Sequence, residues 1–208
     1  MTFELWLAFV AAASALLLIP GPTVLLVLSY ALSQGRRVAL ASAAGVALGD
    51  LVAMTVALLG LGAIIATSAA AFTLLKWAGA AYLVYLGLRM LRTGQGQTKL
   101  TEAPAKEARA IFGHTALVTA LNPKGIGFFI AFVPQFISTE ASFAPQASIL
   151  IATFVSLAAL NALAYALAAD AMRARITRPK VLERFTQAGG LTLIAMGALT
   201  ATLRRTTP

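Results

Sequence analysis

Six apolar runs, at residues 5–32, 38–67, 72–91, 111–137, 147–169 and 185–203, take up most of this chain. Crossing ~30 Å of hydrocarbon at ~1.5 Å per residue takes about 20 residues of helix, so each run is a candidate membrane span. With 208 residues, 60% of them hydrophobic and 11% charged, the chain holds far more apolar matter than one soluble core can bury. It belongs in lipid. The first, second and fourth runs exceed a single straight crossing, which predicts tilt, breaks or extramembrane ends. The opening Met1-Thr2-Phe3-Glu4 has no basic residue, so the first run reads as a span rather than a cleaved secretory signal.

The net charge of +9 is informative through its distribution. Arg36 and Arg37 lie between runs one and two. Arg89, Arg92, Lys99, Lys106 and Arg109 lie around the gap between runs three and four, and Arg173, Arg175, Arg178, Lys180 and Arg184 between runs five and six. The other two gaps carry no Lys or Arg. The positive-inside rule then puts the basic loops in the cytoplasm and both termini on the periplasmic side of a bacterial inner membrane. Arg204 and Arg205 run against that orientation. Such loops set topology and touch lipid headgroups, and nucleic acid is not needed to explain them. The absence of cysteine excludes disulfides and thiolate metal sites, and one His with seven acids leaves little for a catalytic or metal centre. No cofactor, metal or enzymatic activity is expected.

Residues 93–110 form the one polar stretch long enough to be a linker, dividing the chain into halves at 1–92 and 111–208. Each half holds three runs. Because three is odd, the second half enters the membrane from the opposite side, the condition for an inverted repeat. The expected fold is therefore an all-α integral membrane protein of six transmembrane helices in two inverted three-helix repeats, with helices one and four broken.

The breaks are written in proline. Pro20-Gly21-Pro22 interrupts the first run near its middle, where proline removes a helix donor and glycine relaxes the backbone. Pro22 suits a first helical position, which leaves the N–H groups of Thr23 and Val24 without helical acceptors. Asn122-Pro123-Lys124 repeats the device in the fourth run, with Asn122 as N-cap and Pro123 at the first position. Both half-helix starts carry partial positive charge, and Lys124 adds a full one.

Asp50 is the one acid deep within an apolar run. A carboxylate there costs a few kcal/mol at least, so it must face a cavity, pair with a cation or be protonated. Two roles stand side by side: a structural pair with Lys124, and a functional acid that meets a substrate ammonium while the half-helix ends meet its carboxylate. A zwitterion fits such a site, and protonation of Asp50 offers a route for a coupling proton. Gly45 and Gly49, with Ala41, form a small-residue face that predicts close helix packing, as do Gly189, Gly190 and Gly197. His114 reads as interfacial or as a proton relay. Asp170 reads as a local ion pair, and Lys76 and Trp77 as interfacial anchors.

The order of these motifs resembles the lysine exporter/homoserine-threonine exporter (LysE/RhtB) family. It is carried by Pro20-Gly21-Pro22, Gln34-Gly35-Arg36-Arg37, Gly45 to Asp50, Lys76 to Arg89, and Asn122-Pro123-Lys124 followed by Phe128-Phe129 and Pro134-Gln135-Phe136. The resemblance implies export of amino acids or close derivatives from the cytoplasm by proton antiport. It also implies a pathway lined by Gly21, Pro22, Asn122, Pro123 and Lys124; Thr23 joins them by position, with no side-chain role carried over. The expected partners are the amino-acid substrate, a coupling proton and the bilayer, with room for a homo-oligomer. An exporter of another solute or of a metal ion is the alternative, and a membrane enzyme would lack a recognised catalytic motif.

Overall fold

The structure, a computed structural model, describes residues 1–67, 69–93, 106–138, 141–176 and 179–202, and these are almost entirely helical with no strand among them. Helix α1 (Phe3–Leu18) starts at Thr2, whose hydroxyl accepts from the Leu5 N–H, and stops at the first proline break. Helix α2 (Pro22–Gln34) leaves that break at 54° to α1. It ends at Gly35, whose φ of 68° lies in the left-handed region that side chains resist. A 3-10 turn, Gly35–Val38, leads into α3 (Ala39–Thr67), and α4 (Ala69–Thr93) completes the first half. Helices α5 (Ala108–Ala120) and α6 (Pro123–Ala131) repeat the broken arrangement with a 46° bend. After a 3-10 turn at Val133–Phe136 come α7 (Phe143–Ile176) and α8 (Pro179–Thr202).

Three of these helices are long and apolar enough alone to cross a membrane, and five spans result if each bent pair counts as one. The sixth expected run coincides with α8, which falls outside that count; Gln187, Gly189, Gly190 and its threonines dilute the apolar residues of that run. Helix α7 runs past the expected 147–169 at both ends. Most of the expected linker at 93–110 lies outside the described residues, as do Arg204, Arg205 and the side chain of Asp170.

Packing runs across the halves more than within them. Helix α3 lies along α5 and α7, α4 along α8 and α6, and α1 and α2 against α7. Where lipid surrounds the bundle no hydrophobic force draws helices together, so close approach of small residues must do it. Gly49 shows how close: a Cβ there would lie 2.5 Å from the Ala116 carbonyl oxygen on α5. Gly45 meets Thr115 and Phe112 of α5 in the same way, and Gly87 of α4 faces Gly190 of α8. The outer surface carries many large apolar side chains, with Leu40, Val56, Leu59, Leu74 and Leu160 all exposed, as a lipid-facing surface requires.

Candidate functional site

A helix that stops inside a membrane leaves its last carbonyls without partners, and hydrocarbon offers none. The end of α1 is completed by side chains from the other half of the chain. Lys124 Nζ donates to Leu16 O at 3.0 Å and to Ile19 O at 2.9 Å. From α7, Asn161 Nδ2 donates to Leu17 O at 3.0 Å and the Tyr165 hydroxyl to Leu18 O at 2.8 Å. The Lys124 ammonium thus sits at the negative end of the α1 dipole. It does not simply add to the positive half-helix starts.

Those starts differ from one another. Asn122 caps α6 through Oδ1, which accepts from Lys124 N at 3.1 Å. Gly21, the N-cap of α2, has no side chain to offer, so the first donors of α2 have no cap. The two breaks also touch. Thr23 Oγ1 accepts from Asn122 Nδ2 at 3.1 Å and from the Thr119 hydroxyl at 3.3 Å. Gly21 lies against Lys124, where a Cβ would come within 3.3 Å of both Cε and Nζ.

Asp50, on α3 and only 6% exposed, looks toward α6 at Gly125, where a Cβ would lie 4.0 Å from its Oδ1. Among the described residues it makes no hydrogen bond and no direct ion pair, although Lys124 acts on it through space. The opposite charges instead share the wall of a cavity of about 40 Å³ that also includes Gly21, Thr23 and Asn122. That volume holds a water or two and no amino acid. Phe154, on its wall, packs in turn against Phe129 at 4.9 Å and Phe128 at 5.7 Å between ring centres. Gly21, Asn122 and Lys124 separate this cavity from a wider cavity of about 330 Å³ that also touches Pro20, Pro22 and Pro123. All seven predicted pathway residues thus line one or both of two adjoining cavities.

Residues 14–203 match the family described as LysE type translocator. This chain belongs to that family. Two homoserine/homoserine lactone efflux proteins, from Salmonella typhimurium and Salmonella typhi, are each 33% identical to it over 204 residues, covering 98% of this chain and 99% of theirs. An uncharacterized membrane protein of Vibrio cholerae is 33% identical over 204 residues, 98% of this chain and 100% of its own. No solved structure matches.

In this LysE-type chain several site residues carry no motif. Asn161 and Tyr165 stand one helical turn apart on the apolar α7, and that spacing of two polar side chains is their only sequence signal. Thr115 and Thr119, buried on α5, show the same spacing. His114 bonds the Tyr30 hydroxyl through Nδ1 at 2.7 Å, fastening α5 to α2 away from both cavities. Lys76 lies over the Trp77 ring at 5.4 Å.

Proposed function

We propose that this translocator is a secondary exporter of amino acids or close derivatives, working by proton antiport across the bacterial inner membrane. The observation that carries the reading is the shared cavity with Asp50 on one side and Lys124 on the other, built where two broken helices meet. A zwitterion that enters can give its ammonium to Asp50. Its carboxylate can take Lys124 and the uncapped start of α2, which frees the α1 carbonyls and loosens the contact between halves. Proton binding to Asp50 would then return the empty site. The printed names of the Salmonella relatives support homoserine-like solutes.

In this reading six spans form two inverted halves, with both termini periplasmic and the basic loops inside. The packing supports it: α3 lies on α7 and α4 on α8, so each meets its own counterpart, as helices beside a two-fold axis must. The wider cavity is lined by Arg89, which this reading puts on the cytoplasmic side, and Phe154 on the central cavity's wall packs against Phe129. In this reading the conformation is one that loads from the cytoplasm. Alternating access would open the phenylalanine side as the vestibule closes.

The test is efflux from proteoliposomes preloaded with mixed amino acids under an imposed pH gradient, followed by mass spectrometry of the medium. The intact protein should release one or a few amino acids, faster with the gradient. Asp50→Asn should release none while remaining folded and inserted. Unchanged release by that variant would remove Asp50 from the mechanism, and no release by the intact protein would end the export reading.

A further inference from the structure

We propose that the wider cavity is a loading site for the carboxylate end of the solute and that Arg89 selects it, an inference that rests on the export reading above. At about 330 Å³ the cavity falls in the range of small-molecule sites, about 300–1,000 Å³, whereas the central one, at about 40 Å³, does not. A small amino acid can therefore rest in the wider cavity in this conformation, before the central site opens to it.

Among the described residues the lining is one-sided in charge. Its two ionic groups there are both cations, Arg89 from the last turns of α4 and Lys124 at the start of α6. Thr186 adds a hydroxyl, and Leu86, Met90 and Leu193 supply an apolar wall for the aliphatic part of a solute. Asp50 is not among these described lining residues; it lines the central cavity. A zwitterion arriving here is thus recognised first by its carboxylate and only deeper by its ammonium.

Arg89 is exposed, so it can meet a solute at the mouth of the cavity, while Lys124 forms the floor. It is already held by a neighbour. A guanidinium has five donors in a planar fork, which leaves capacity for a carboxylate beside an existing partner. Passage then runs from Arg89 to Lys124, and the carboxylate is handed from one cation to the next along the wall that Gly21 and Asn122 share with the central cavity.

This handover makes a distinction that overall positive charge does not. Homoserine has both an ammonium and a carboxylate; its lactone keeps the ammonium and has no carboxylate. Arg89 should favour the open acid and be indifferent to the lactone.

The experiment compares homoserine and homoserine lactone efflux in proteoliposomes of fixed lipid composition, for the intact protein, Arg89→Gln and Arg89→Lys. The expected result is a half-saturating homoserine concentration raised about fivefold in Arg89→Gln, as for loss of one partly screened ion pair, with the lactone value unchanged. Arg89→Lys should recover part of the loss. Equal effects on both solutes would overturn the inference and assign Arg89 to structure or to a lipid phosphate; no effect on either would overturn it as well. Failure of the intact protein to move either solute while it releases other amino acids from the mixed pool would overturn the inference alone; failure to release any amino acid would bring down the export reading, and the inference with it.

Discussion

Thr23 and Asn122, 99 positions apart, are joined by a hydrogen bond of 3.1 Å from the amide Nδ2 to the hydroxyl Oγ1. One residue opens the second part of one broken helix, and the other caps the second part of its counterpart. Thr23→Val leaves that amide donor, on a buried Asn122, without its acceptor, at a cost of about 1–3 kcal/mol. Thr23→Ser keeps the oxygen. Unfolding in detergent should therefore show a lower midpoint for the valine variant and a nearly unchanged one for serine.

Lys124 should be more sensitive still. Lys124→Met strips two carbonyls, Leu16 O and Ile19 O, of a charged donor in a place where lipid supplies no substitute. The expected loss is at least about 2 kcal/mol of stability, together with all efflux. Lys124→Arg should not restore efflux, because the broader guanidinium must fit where the lysine tail already lies against Gly21. Thermal unfolding and efflux on the same preparations would check both expectations.

How far the sequence could foretell this site depends on which end of each helix is considered. Starts were legible, because Pro22, Asn122 and Pro123 announce a half-helix through local chemistry. Ends were not. The partners of the α1 carbonyls lie 105 to 147 positions away in Lys124 and Tyr165, and no local rule links them. Lys124 was visible as a deep cation, but its direction was not: it turns back to the end of α1 and leaves Asp50 across a cavity. The helices themselves follow the apolar runs closely, since length and hydropathy decide them. The sharing of contacts between halves was beyond reach, because an apolar face looks the same whether it meets lipid or another helix.

The glycines separate packing from mere presence. At Gly49 a methyl group would lie 2.5 Å from Ala116 O and 2.6 Å from Thr119 Cβ, both on α5. Gly49→Ala must therefore push α3 and α5 apart, at about 1–3 kcal/mol. At Gly113 nothing lies within 4 Å of the same position. Gly113→Ala should be neutral or stabilising by up to about 1 kcal/mol, through helix propensity. The difference between the two midpoints, measured under one denaturant protocol, tests whether the α3 and α5 backbones touch as described.

Gly21 tests the link between packing and transport. Its φ of −117° and ψ of −172° are extended backbone that any residue can adopt, so a side chain here is opposed by its neighbour and not by strain. A Cβ would sit 3.3 Å from Lys124 Cε and Nζ, tight enough that the lysine must yield by a few tenths of an ångström. Gly21→Ala should thus keep its fold and lose part of its rate. Gly21→Val extends further into the same space and should displace the ammonium from Leu16 O and Ile19 O, which removes efflux and lowers the unfolding midpoint together. A valine variant that transports at the full rate would mean that the seating of Lys124 against α1 is not part of the transport cycle.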